Sequence, residues 1–363
     1  MKAPALTEKK IRLLINFLTI LFSLFFYSQT SQAETYVGTI KNIPIVMELN
    51  IYDGQISGRY FYKKYGVDIP LSGYYDKAKI HLIENEEKRQ GIFLFLNKEC
   101  GFFCPGGYWY DELNSKSLPI NLREIDGNSI NPNDSYGLDR NSEYTIYDIL
   151  RQESITFSEK KSAPFTDFSS MELIWMQDKK SKLEFFNLKA NQTFTQVQKV
   201  NKFLEEEFRR FNLAFYEGAS TDILFNPNFA RENLLSFSVL GNIFYPGTAH
   251  PAYLDNHYTI HIPSARLLSI EDIITLPENQ QVAPWLMSQL LQIAPNEMQS
   301  QPECNYMDIN TWNIDSHSGW YLTNKGLHIS PTYPFVLNAC GSPEWAVLPL
   351  SVIQQNPGLV TIE

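Results

Sequence analysis

The chain is short of the signatures that announce most enzymes and nucleic-acid binders. It has no HExxH, no GxSxG elbow and no paired cysteine clusters, so neither a zinc protease helix nor a serine-hydrolase nucleophile turn is written in it. Its Asp126, Asn128, Asn131, Asn133 and Asp134 miss the spacing of an EF-hand calcium loop. Only 19% of residues are charged, and the 30 Lys and Arg are outnumbered by 40 Asp and Glu, which works against binding to nucleic acid or anionic lipid. Cysteines number four and histidines six. His257 and His261 share a strand face, but about 13 Å of extended chain separates them, too far to bind one metal together. No metal site and no cofactor is expected.

What the chain does have is aromatic and aliphatic weight: 24 Phe, 20 Tyr and 44% hydrophobic residues over 363 positions. That is a well-buried, β-rich composition, long enough for two cores. Lys9, Lys10 and Arg12 precede an apolar stretch from Leu13 to Tyr27, and Ser31-Gln32-Ala33 is a small-x-small cleavage site. The apolar stretch falls short of the ~20 residues a spanning helix needs. Residues 1–33 therefore read as a signal peptide, with an uncleaved anchor as the alternative. The leader holds four of the bases and one of the acids, so the rest carries 26 bases and 39 acids, a net charge of −13. In an exported chain an even cysteine count reads as disulfides. Pairing within each domain gives Cys100–Cys104 and Cys304–Cys340. A CxxxC is not the redox spacing, so a stapled loop is expected there.

Residues 34–190 are expected to form an antiparallel β domain, a small barrel or sandwich. Strands are expected at Tyr36–Ile40, Ile45–Ile51, Ile56–Tyr62, Lys79–Ile83, Ile92–Leu96, Tyr144–Ile149, Ile155–Phe157, Met171–Met176 and Lys182–Asn187. Asp53-Gly54 marks a hairpin. The front of this part resembles a small β module of bacterial envelope proteins, through Tyr36, Gly38, Ile40, Pro44, Ile45, Met47, Leu49, Gly58, Tyr60, Tyr62, Leu71 and Gly73. The run from Cys100 to Tyr110 holds Phe102, Phe103, Tyr108, Trp109 and Tyr110. It reads either as a sugar-stacking platform or as a hairpin whose rings fill the core. Glu124–Ser142 is polar and turn-rich, a surface loop.

Residues 191–363 are expected to be an α+β domain, helices on an antiparallel sheet. Thr193 with Gln196 opens a helix whose Val197, Val200, Leu204, Phe208, Phe211 and Phe215 recur at helical spacing. A second helix is expected over Val282–Ile293, and strands at Trp312, Trp320–Leu322, Leu327–Ile329 and Ala346–Pro349.

The stretch from Leu235 to Ile274 is the most informative. Phe237, Val239 and Ile243 mark a half-buried strand, and Pro246-Gly247 breaks it. His250 precedes Pro251 and is held extended. HYTIHI from His257 alternates again, and Ser269 with Asp272 forms a capping box. The run Gly247-Thr248-Ala249-His250-Pro251, then Leu267 through Ile274, then Trp320 through Ile329 and Tyr333 through Ile353 resembles a bacterial extracellular domain. That domain of uncertain role is shared by the lysozyme-sensing anti-sigma factor RsiV and the non-catalytic part of some peptidoglycan deacetylases. Thr248 stands where that pattern often has a second glycine. The resemblance implies a non-catalytic binding protein of the cell envelope. Its ligand would be cell-wall glycan or a lysozyme-like cationic protein, and Gly247–Pro251, Tyr108 and Trp109 are its candidate binding residues. A hydrolase or sugar-modifying enzyme with a site near His250, and a structural periplasmic protein, are the alternatives. Only twelve residues precede the apolar stretch, so signalling across the membrane is not expected.

Expressed in a bacterium and recovered from the periplasm, the protein should begin at Glu34 by intact-mass measurement. A mass that retains residues 1–33 would make the apolar stretch an anchor.

Overall fold

The computed structural model describes residues 33–362 apart from 77–78, 85–90, 97–105, 112–115, 126–144, 165–170, 191–194, 232, 301–303, 305–313, 315–318, 331–339 and 341–342. Residues 1–32, Cys100, Cys104, Phe102, Phe103, nearly all of the 124–142 stretch, Thr193, Trp312, Asp315, His317 and Tyr333 to Phe335 lie outside the described residues. The protein is α+β, and the chain divides into two units. The first runs to Tyr60 and resumes over Ile69–Ile125; the second takes Phe61–Asp68 and everything from Asp126 on.

In the first unit eight antiparallel strands close into a barrel: β1 (Glu34–Ile40), β2 (Ile43–Tyr52), β3 (Gln55–Tyr62), β4 (Ile69–Asp76), β5 (Lys79–Glu84), β6 (Ile92–Leu96), β7 (Gly107–Tyr110) and β8 (Ser117–Glu124). Strand alternation sends Tyr36, Met47, Leu49, Tyr60, Leu82 and Phe93 inward, where all are buried. An eight-stranded barrel leaves an interior about wide enough for side chains, and these fill it. Asp53 and Gly54, with φ of 47° and 78°, make the tight turn between β2 and β3. A Cβ on Gly38 would lie 1.8 Å from the Asn121 carbonyl oxygen of β8, so only glycine lets β1 and β8 approach at that point. The buried Glu84 accepts hydrogen bonds from Tyr60 Oη (2.5 Å), Trp109 Nε1 (2.8 Å) and the Gly91 amide (3.0 Å), which offsets the cost of its burial.

The second unit begins its regular structure with α1 (Ile146–Gln152), where a strand over Tyr144–Ile149 was expected. β-branched and aromatic composition suggested the strand. The capping box decides otherwise: Thr145 Oγ1 accepts from the Asp148 amide while Asp148 accepts from the Thr145 amide. Next come β9 (Phe157–Pro164), β10 (Met171–Asp178) and β11 (Glu184–Ala190), a three-stranded antiparallel sheet, and then α2 (Thr195–Tyr216). The sheet of β12 (Ser220–Ala230), β13 (Leu234–Phe244), β14 (Ala252–His261) and β15 (Arg266–Leu267) follows. The rest comprises α3 (Ile270–Ile273), α4 (Val282–Ile293), α5 (Pro295–Ser300), the sheet of β16 (Trp320–Thr323), β17 (Gly326–Ile329) and β18 (Val347–Pro349), and α6 (Leu350–Gln355).

Two apolar clusters hold this unit together. In one, Val197, Val200, Leu204, Phe208 and Phe211 of α2 pack against Phe225, Phe237, Val239, Tyr258 and Ile260. Leu173, Phe185, Phe186 and Leu188 join that same cluster. Thus β9–β11, which the sequence reading grouped with the strands before them, share a core with α2 and β12–β14. The other cluster gathers Trp285, Leu286 and Leu290 of α4 with Trp320, Leu322, Leu327 and Leu348. Cys304 and Cys340 sit in it, joined by a disulfide with their Cα atoms 5.4 Å apart. The capping box at Ser269 forms, and Asp272 also takes two hydrogen bonds from Arg266 (2.8 and 2.9 Å).

The segment Phe61–Asp68 is fixed within its unit by charge. Arg151 is fully buried and donates to both oxygens of Asp68 at 2.8 Å, while Tyr147 Oη adds a third bond at 2.7 Å. The guanidinium lies 4.8 Å from the Tyr147 ring centroid. Replacing Arg151 with Met leaves the Asp68 carboxylate buried without its counter-charge, and unfolding free energy should fall by about 3–5 kcal/mol. Urea titration measures it, and Asp68→Asn added to Arg151→Met should recover at least half. An unchanged midpoint in the single variant would show the pair to be dispensable.

Candidate functional site

The sheet β12–β15 has two unlike faces. Phe225, Phe237, Val239, Tyr258 and Ile260 turn toward α2. The alternating positions carry Ser236, Ser238, His257 and Thr259, all buried, with Ser236 opposite Thr259 and Ser238 opposite His257. This polar face is covered by the hairpin β16–β17. Ser236 Oγ lies 3.0 Å from Thr259 Oγ1 and accepts the Leu322 amide at 3.0 Å, which ties β16 to the sheet. Tyr321 is stacked between two imidazoles, 4.4 Å from the His257 ring and 4.6 Å from that of His328. Ser330 Oγ donates to Asp255 Oδ2 at 3.2 Å.

Ser238, His257 and Asp255 form a line. Ser238 Oγ is 2.7 Å from His257 Nδ1 and accepts from Asn228 Nδ2 at 2.5 Å. His257 Nε2 lies 3.0 Å from Asp255 Oδ1, off the line of a good hydrogen bond. The residue types are those of an acyl-transfer triad, but Ser238 is only 1% exposed and its oxygen is already engaged twice. Desolvation, and secondarily the neighbouring His257, push the His328 imidazole down to about 4. Burial and the Asp255 charge push the Tyr321 phenol up to about 12. Among the described residues, no three His, Cys, Asp or Glu side chains converge as a metal-binding group.

From Asp255, at the edge of the hairpin's cover, the same face opens outward. Leu224, Leu240 and Asp255 face one another in one row across the strands, and Asp222, Asn242 and Tyr253 in the next. Phe244 follows, opposite Ser220. Leu224, Phe244 and Tyr253 are 55%, 42% and 45% exposed. Strands β12, β13 and β14 contain no Lys or Arg.

The sequence-derived candidates fall as follows. Gly247, Thr248, Ala249, His250 and Pro251 form the connection from β13 to β14, next to Phe244 and Tyr253. Gly247 has φ +84°; Thr248 Oγ1 donates to the carbonyls of Tyr245 (2.8 Å) and His250 (3.2 Å), which shapes the turn. Gly247 through His250 are exposed, with Pro251 half-buried. Tyr108 and Trp109 belong to the first unit, on β7. Alternation separates them: Tyr108 points outward and is 46% exposed, whereas Trp109 bonds Glu84. His261, on the same strand face as His257, bonds Ser264 Oγ at 2.8 Å through Nδ1. Sequence reasoning missed Ser238, Asp255, Tyr321 and His328. The one local signal was Ser236-x-Ser238 inside an otherwise apolar strand.

No protein-family model and no curated protein matches the chain. A crystal structure of a DUF3298 family member from Bacteroides fragilis is similar to it at 14% identity over 56% of this chain and 94% of that one, with a TM-score of 0.30. A DUF3298 family protein from Pseudomonas aeruginosa is similar at 12% identity over 53% of this chain and 96% of that one, with a TM-score of 0.29.

The neutral His328 sets a pH dependence. Its imidazole binds a proton near pH 6.5 when unfolded and near 4 when folded, so the unfolded chain holds more protons between those values. The stability is complete above about pH 6.5, falls by roughly 3 kcal/mol as pH drops toward 4, and this contribution is level below that. Denaturant titrations from pH 7.5 to 4 should show a shallower fall in His328→Gln than in the wild type. Equal slopes would show that His328 does not titrate in this window.

Proposed function

We propose that the protein is an exported, non-catalytic binding protein of the cell envelope, and that the open end of sheet β12–β14 takes a cationic protein such as lysozyme. One observation carries the reading: Leu224, Phe244 and Tyr253 are exposed on one face together with the Asp222 carboxylate, beside the partly covered Asp255, on three strands free of Lys and Arg. Apolar and aromatic side chains supply contact area, and the acids select a basic partner. The Gly247–Pro251 turn borders this surface. The net charge of −13 beyond residue 33 adds long-range attraction for such a partner. Export is supported by the leader of residues 1–33 and by the Cys304–Cys340 disulfide. A binding role is favoured over hydrolysis because the Ser238 hydroxyl lies inside the layer.

Calorimetry with hen lysozyme as the probe tests the reading. Affinity should drop at least tenfold between 50 and 500 mM NaCl, as screening shortens the reach of the acids. Asp222→Lys and Leu224→Lys should each weaken binding about tenfold without lowering the melting temperature. Absence of binding at 50 mM, or binding indifferent to salt and to both variants, would refute it.

A further inference from the structure

We propose that the outer wall of the barrel, over β4 to β7, is a separate binding surface for an uncharged carbohydrate chain. It belongs to the first unit and is independent of the surface described above. The strand register places Tyr74, His81, Leu94, Tyr108 and Pro119 opposite one another in a single row. Ser72, Ile83, Ile92, Tyr110 and Ser117 form the neighbouring row. These ten outward positions hold no Asp, Glu, Lys or Arg, in a chain that is 19% charged. Tyr74 and Tyr108 are 48% and 46% exposed. Three interstrand steps, about 14 Å of backbone along the curved wall, separate their Cα positions.

The barrel does not need these rings for its core. The alternate residues of the same strands, Ile80, Leu82, Phe93 and Phe95, are the ones buried inside. Tyr74 is held upright by stacking on His81, 5.2 Å between centroids and 20° between planes, so little rotamer freedom remains to be lost on binding. Tyr108 and Tyr110 lie 6.2 Å apart, their planes tilted by 45°.

The absence of charge selects the occupant. An ionic partner would give up hydration over these two rows and meet counter-charge only at their border, where Asp76 stands opposite Lys79. A neutral pyranose chain loses little: its C–H faces pack on tyrosine and aliphatic side chains, and its hydroxyls meet Ser72, Ser117 and the tyrosine hydroxyls along the rows. The row follows the curved outer wall of a closed barrel, so a chain of linked sugar rings reaches both tyrosines by bending around the wall.

Calorimetric titration of the protein with the β-1,4-linked hexamer of N-acetylglucosamine tests this. Saturable binding is expected, with dissociation constants at 50 and 500 mM NaCl agreeing within twofold. Tyr74→Ala and Tyr108→Ala should each weaken it about tenfold, one stacking contact apiece. Both side chains are exposed, and unchanged melting temperatures will show that the barrel is intact. No saturation at millimolar hexamer, or undiminished affinity in the double variant, overturns the proposal. So does a wild-type dimer in sedimentation that Tyr108→Ala converts to monomer, since the face would then belong to a second copy of the chain.

Discussion

A hydroxyl or imidazole removed from water must find a partner, or the fold forfeits on the order of 1–3 kcal/mol for each one left over. The sheet β12–β15 meets this constraint for the hydroxyls of one face and for Nδ1 of His257, while His257 Nε2 has only an off-line contact with Asp255. Ser236, Ser238, His257 and Thr259 are sealed under β16–β17, and their bonds run to one another, to the Leu322 amide and to Asn228. Grease on both sides would let the hairpin slide. Here a slip of β16 along the sheet would part Ser236 from the Leu322 amide and Tyr321 from its two imidazoles at once. The apolar face toward α2 supplies cohesion, and the polar face supplies register.

Much of this architecture is written locally, and the parts that are not have a common cause. Val282–Ile293 was readable as a helix to the residue, Asp53-Gly54 as a hairpin, and the α2 stripe from Val197 to Phe211 as a core-facing ridge, because each follows from period or turn chemistry within a few positions. The Ser269 box was equally legible. The Thr145–Asp148 box is the same signal, overlooked because Tyr, Thr and Ile around it favour strands. The buried polar layer was out of reach. Tyr321, itself stacked on His328, meets His257 across more than sixty residues, and no window of sequence contains both ends of such a contact. Tyr108 and Trp109 mark a different limit: adjacency suggested one platform, and the period of two sends the rings to opposite sides of the wall.

The open end of β12–β14 and the outer wall of the barrel differ in chemistry. One sets Asp222 among aromatic and aliphatic side chains; the other holds no Asp, Glu, Lys or Arg at ten outward positions. Salt screens interactions of the first kind and leaves those of the second nearly untouched.

The segment Phe61–Asp68 gives the chain an unusual itinerary. Synthesis leaves the first unit at Tyr60, spends eight residues in the second, returns at Ile69 and departs for good after Ile125. Asp68 therefore emerges from the ribosome 83 residues ahead of the arginine that neutralises it. No single cut liberates either unit whole. A fragment ending at Ile125 carries an orphaned tip, one beginning at Asp126 lacks it, and a gene fusion built at that junction would inherit the same debt.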